Sequence, residues 1–288
     1  MAGSPNTSDE AVDRAAASLR AASSGGFAPL VELLLKRHEK SFPDVFKDKI
    51  LNGKDKDGAG PLFSAAFVGH ADVIEVLLAQ KGIDVNLKNT KDWTPLRAAL
   101  SNDNELASEL LVEEDAVTAT KEFHVNWNPL CHAAGVGYVH VVKSLLGKKG
   151  VKEEINLQDG DGMTALYLAS TNGHTRVVKS LLKSGAKHNQ ESKGYLMPLY
   201  GAATSGHARI VEILLDAGAD PSPRTHDGDS AMDAAVKGGH ATVAELLMDH
   251  LAKVEERQSG RQTGTGASGG GGGGGGNVGA GRGTAVNS

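Results

Sequence analysis

Eleven histidines and a single cysteine are the side chains of this sequence best suited to hold a metal or attack a substrate. Four of the histidines sit in one recurring pair: Gly69-His70, Gly173-His174, Gly206-His207 and Gly239-His240. A tetrahedral metal site needs several ligands gathered around one ion. Histidines carried one per structural unit are held too far apart for that, so the pairs are expected to satisfy backbone groups in a turn. Cys131 and His132 are adjacent, point to different faces of a helix, and lack zinc-site spacing. Cys131 reads as a small buried residue rather than a nucleophile. The acidic pairs Glu113-Glu114, Glu153-Glu154 and Glu255-Glu256 fall in loops or helix ends, where they read as solvated charge. No phosphate-cradling Gly-Lys-Ser/Thr loop, His-Glu-x-x-His, Gly-x-Ser-x-Gly or EF-hand loop is present. The expectation is therefore no catalytic residue, no metal and no cofactor.

The elements that position these residues repeat. A turn-and-helix start recurs at Gly60-Pro61-Leu62, Thr94-Pro95-Leu96, Asn128-Pro129-Leu130, Thr164-Ala165-Leu166, Met197-Pro198-Leu199 and Ser230-Ala231-Met232, in steps of 34, 34, 36, 33 and 33 residues. The Gly-His element keeps the same register, replaced by Asp103-Asn104 in the second copy and Gly137-Tyr138 in the third. Each is followed by apolar residues at a fixed offset, for example Val73, Ile74, Leu77 and Leu78, or Val177, Val178, Leu181 and Leu182. That spacing makes one wide apolar helical face. The preceding helix carries alanine pairs such as Ala65-Ala66 and Ala202-Ala203, small enough for two helices to approach closely. Pro61, Pro95, Pro129 and Pro198 fit a first helical turn, where a missing N–H costs little. Gly82, Gly185 and Gly218 are placed to end the second helix. Asp57-Gly58, Asp161-Gly162 and Asp227-Gly228 mark hairpin tips. Such a period is that of a stacked helical solenoid, which offers a surface rather than a pocket.

Composition agrees. Apolar residues make up 40% of the chain and aromatics only 4%, which suits a core of Ala, Leu and Val. A net charge of −5 gives no nucleic-acid footprint. One cysteine allows no intramolecular disulfide and favours a reducing compartment. With neither a secretory signal nor an apolar membrane-length stretch, the expectation is an intracellular, cytoplasmic protein without membrane partners, the nucleus left open.

The pattern resembles the ankyrin repeat, Asp-x-x-Gly-x-Thr-Pro-Leu-His-x-Ala-Ala-x-x-Gly-His followed by a Val-Val-x-x-Leu-Leu helix. Asp159–His174 and Met197–Asp220 match it closely. The resemblance implies an all-α ankyrin-repeat solenoid of stacked helix pairs joined by short β-hairpin-like turns. The expected map is a disordered start over 1–8, a divergent cap and connection over 9–56, six repeats over 57–257, and a disordered Gly-rich tail over 258–288 that contains eight consecutive glycines. The family's Thr-Pro-Leu-His histidine is missing in all six copies, replaced by Phe63, Arg97, Cys131, Tyr167, Tyr200 and Asp233. The second repeat departs furthest, with Ala107-Ser108 in place of the bulky pair, and is expected to be the weakest. Residues 113–123 are hard to register.

Family members usually bind partners in the groove between hairpin tips and first helices. Here one hairpin column holds Ala59, Trp93, Trp127, Met163, Leu196 and Asp229, including both tryptophans of the chain. The expected partner site is Trp93 and Trp127 flanked by Phe67, Val136, Met163 and Leu196, because rigidly held aromatics are typical binding anchors. Tryptophan at this position in the family also packs on its neighbour, and both meanings stay open. An apolar or helical partner stretch rimmed by basic groups suits the acidic chain. Asn52, Asn86, Asn156 and Asn189 hold the family's end-of-repeat asparagine, with hairpin bonding as their expected role and hydroxylation by a dedicated oxygenase as the other. The implied function is non-catalytic protein binding by a monomer, as scaffold, adaptor or inhibitor. The alternative is a regulatory or substrate-recognition subunit of an enzyme complex.

Overall fold

The computed structural model describes residues 7–114, 117 and 127–263. Residues 1–6, most of the 113–123 connection and the glycine-rich segment 264–288 lie outside the described residues. The chain divides into two compact units, Met1–Met248 and Asp249–Ser288.

Helices come in pairs, and their starts follow from the sequence. α1 (Thr7–Ser24) and α2 (Ala28–Ser41) form the first pair, followed by one turn of π-helix at Phe46–Leu51. Then come α3 (Pro61–Val68) with α4 (Ala71–Leu78), α5 (Pro95–Ser101) with α6 (Glu105–Glu113), and α7 (Pro129–Val136) with α8 (Val139–Gly147). α9 (Ala165–Thr171) with α10 (Thr175–Lys183), α11 (Pro198–Thr204) with α12 (Ala208–Asp216), and α13 (Ala231–Lys237) with α14 (Ala241–Thr263) complete the series. Four first helices begin on the expected prolines. The side chains of Thr94, Asn128, Thr164 and Ser230 cap α5, α7, α9 and α13 by accepting from backbone N–H groups. These caps fall in four of the six turns where the family's histidine is missing; Gly60 and Met197 make no such cap. The hairpins close with single antiparallel bridges, Gln158 to Thr164, Ser192 to Leu196 and Arg224 to Ser230.

Within Met1–Met248 the first helices pack in one layer, α1 on α3, α3 on α5 and so on to α13, and the second helices from α2 to α12 pack in another. The core lies between them. Val73, Ile74, Leu77, Val141, Val142, Leu145, Val177, Val178 and Leu181 are completely buried, as are Ala65, Ala66, Ala133, Ala134, Ala202 and Ala203. A methyl in place of a larger side chain is what lets the first helices lie this close. Phe46, Ile50 and Leu51 of the π-helical turn are buried in the same core, so the long connection after α2 is a packed element.

Three details differ from the sequence expectations. α1 begins at Thr7 rather than after residue 8, with Asp9 and Glu10 in its first turn, where acidic side chains favour a helix N-terminus. Leu30, Val31, Leu34 and Leu35 follow Gly26-Phe27 at the offsets of the repeats, which predicts one apolar face. Leu30 is nevertheless 43% exposed while Val31 and Leu35 are buried, since α2 is flanked in its layer by α4 alone among the described residues. α14 runs to Thr263, past the expected start of the tail at Gln258.

The second repeat keeps its register at a cost. Asp103 takes the left-handed conformation (φ 55°) where the other units use glycine. Ser108 replaces a core methyl and turns its hydroxyl back onto the Asn104 carbonyl at 2.8 Å. Native-state hydrogen exchange should therefore find the amides of α5 and α6 the fastest-exchanging of the repeats; maximal protection there would contradict this account.

Candidate functional site

The recurrent histidines are structural ties. The Nε2 of His70 donates to the Ser24 carbonyl (3.0 Å), His174 to Gly135 (2.9 Å), His207 to Thr171 (3.0 Å) and His240 to Thr204 (3.0 Å). Each bond reaches the first helix of the preceding unit, or the end of that helix. In the second repeat Asn104 does the same work, its Nδ2 donating to Ala66 and Phe67 carbonyls at 3.1 Å each. His132 adds a bond to the Leu100 carbonyl (2.8 Å). A second series runs through the end-of-repeat asparagines, whose Oδ1 atoms accept from the next unit: Asn52 from Asp84 N–H, Asn156 from Lys187 N–H, Asn189 from Asp220 N–H. Hairpin tips are joined by Thr90 N–H to Asp57, Lys193 N–H to Gly162 and His226 N–H to Gly194. Among the described residues no three His, Cys, Asp or Glu side chains gather as a metal site. Cys131 is 1% exposed, and burial pushes its thiol far above the ordinary range. It points at the Leu157 and Met163 carbonyls from 3.6 and 3.5 Å, the setting of an inert thiol.

The expected groove residues fall into an uneven pattern. Phe67, 46% exposed on α3, stacks on Phe63 with ring centroids 6.3 Å apart. Phe63 in turn packs with Ala59, Ala98 and the half-buried Trp93. Between Trp93 and Trp127 lies Arg97, its guanidinium carbon 4.7 Å from one indole centroid and 5.2 Å from the other. Trp127 also packs against the continuous core, with the His132 ring 6.3 Å away. Phe67, Phe63, Trp93, Arg97 and Trp127 thus form one row across three successive repeats. Trp127 and Val136, the latter 37% exposed, line a hollow of about 330 Å³ together with Gly135, Leu168, Asp159 and Asp161. Met163 and Leu196 are half-buried at their own hairpins, outside that row.

Arg97 was not among the expected site residues. It stood out in the sequence only as a replacement for the family's histidine. The usable signal was its spacing, four residues after Trp93, which puts it one helical turn into α5 beside its own tryptophan.

Comparison with known proteins agrees with the architecture. A family model of ankyrin repeats in three copies matches residues 18–122, 96–192 and 188–258. An ankyrin repeat domain-containing protein, SAT10, of Stachybotrys chartarum is 34% identical over 127 residues, 44% of this chain and 6% of its own length. Rabankyrin-5 of Mus musculus is 25% identical over 151 residues, 50% of this chain and 12% of its own. The chain therefore corresponds to a small part of these relatives. The ankyrin repeat domain of human ASB11 superposes with a TM-score of 0.64 at 23% identity, over 81% of this chain and 96% of that domain. An ankyrin repeat domain from Acinetobacter baumannii superposes with a TM-score of 0.57 at 25% identity, over 66% of this chain and 97% of that one. Ankyrin repeats are in general protein–protein interaction modules, and the fold is typically non-catalytic. Among the described residues no helix is long and apolar enough to cross a membrane. With its repeat period, its paired helical layers and a family match that runs from residue 18 to 258, the chain belongs to the ankyrin-repeat family.

Proposed function

We propose that this chain binds a partner protein without catalysis, as a scaffold, adaptor or inhibitor, and that the partner seats along the first helices and hairpin tips. The observation that carries this is the aromatic row from Phe67 to Trp127, which ends beside the hollow under Val136. Its inner members are fixed by packing before any partner arrives, which keeps the ordering cost of binding low. Phe67 at the end of the row and Val136 at the hollow are open to solvent. Trp93 and Trp127 supply the anchors, with Met163 and Leu196 extending the surface toward the fourth and fifth repeats.

The exposed members give the cleaner test. Phe67→Asp with Val136→Asp should leave thermal unfolding within a few degrees of the parent chain, because neither side chain is in the core. Captured on the parent and on this double variant from the same native extract, the partner should be lost from the variant. Recovery of the same proteins on both baits would move the site off this face.

A further inference from the structure

Among the described residues, the cation of this groove, Arg97, meets no carboxylate within ion-pair distance. Elsewhere in the chain Arg209 pairs with Glu212 and Arg224 with Asp233. Among the described residues Arg97 enters no ion pair, and its Nε is enclosed without a hydrogen-bond partner. Enclosing a charged group without a partner is costly. Stacking on two indoles offsets part of that cost, because each ring presents its negative face to the cation. The guanidinium carbon lies 4.7 and 5.2 Å from the two ring centroids. The side chain is half-buried, and the fork of its terminal N–H donors is not among the enclosed, unpartnered atoms. That fork matches the two oxygens of a carboxylate.

The charge changes sign across Trp127. Asp159 and Asp161 line the hollow on which that indole borders, and Asp161 is exposed. Neighbouring first helices lie about 10 Å apart, the usual spacing of packed helices. An extended peptide covers that distance in about three residues. The net charge of −5 opposes an acidic partner at long range. Salt screens charges beyond about 8 Å, so local groups decide what is recognised.

We infer that Arg97 is the specificity residue of the groove, seating an Asp or Glu carboxylate of the partner between Trp93 and Trp127, with an apolar side chain of the same segment on Trp127 and a basic one toward Asp161. This rests on the groove reading above and sharpens it: the partner segment is bipolar rather than simply basic.

The probe is a random dodecamer peptide library selected on the full chain. Enriched peptides should carry Asp or Glu about three positions from Lys or Arg. Replacing the acid by its amide in a synthetic peptide should weaken binding by about 10- to 100-fold, the range for hydrogen bonds to a charged group. On an Arg97→Gln chain the acid and its amide should bind alike. Arg97→Lys, which keeps the charge but not the fork, should also lose most of the preference and serves if the glutamine variant folds poorly. Peptides enriched without an acid, equal binding of acid and amide on the parent chain, or no enrichment would each overturn the inference. If acid dependence is missing but Phe67→Asp with Val136→Asp still abolishes binding, the groove stands and only the carboxylate seat falls. Binding indifferent to that double variant removes both.

Discussion

The double substitution Trp93→Ala, Trp127→Ala should unfold much of this protein at moderate urea, lowering stability by about 5 kcal/mol. Truncating a fully buried tryptophan costs about 3–5 kcal/mol, and these two are half-buried, so about 2–3 kcal/mol each is expected. Trp93 fills the space among Ala59, Phe63 and Ala98, and Trp127 closes the core of its own repeat. Both losses also fall on Arg97, which would keep its partly enclosed charge without either indole. Because the two sites share that residue, the double variant should depart from the sum of the singles. A total near 5 kcal/mol is comparable to the whole stability of a marginal domain. The measurement is a urea titration followed by far-ultraviolet circular dichroism, since the variant has no tryptophan left to fluoresce. A midpoint equal to that of the parent chain would show the indoles to be groove furniture only. The sequence leaves open whether these residues pack or bind. The structure gives them a packing role, so binding lost in this variant would not by itself locate a partner.

Gly206→Ala should cost about 2–3 kcal/mol, whereas Gly239→Ala should cost only about 1. Both glycines have the left-handed backbone, φ 74° and 71°, which an L-residue adopts at a cost of about 1–2 kcal/mol. The difference lies in what a methyl would meet. At Gly206 it would sit 2.5 Å from Nδ1 of His240, pushing the ring away and breaking its bond to the Thr204 carbonyl. That bond contributes about 0.5–1.5 kcal/mol. At Gly239 nothing among the described residues lies within 4 Å. Paired urea midpoints decide the matter, and equal costs would refute the account.

The same geometry shows how far the sequence could be read. The period, the two helical layers, the buried Val-Val and Leu-Leu faces and the proline starts are legible because each is a local pattern repeated in register. The meaning of Gly-His is not. In the sequence Gly173 and His174 look like a pair, but Gly173 faces His207, and His174 faces Gly137. The partner of each glycine is one repeat away, and adjacency in the chain conceals it. In the sequence Asn104 is only a departure from the Gly-His pair, for the same reason. Only the position of the Ala66 and Phe67 carbonyls reveals that its amide replaces an imidazole. The role of Arg97 is not legible in the sequence, because it depends on two rings brought to it from different repeats.

The ties between units have a bearing on how the protein comes into being. Asn156 reaches 31 residues ahead to Lys187, and His174 reaches 39 back to Gly135. Contacts this near in sequence need only a short search. A ribosome releasing the chain from its N-terminus would free each unit and, about forty residues later, the neighbour that completes it. The growing end of the nascent polypeptide would therefore expose one unfinished apolar face at a time, and a chaperone would need to shield a single helix pair rather than a whole domain.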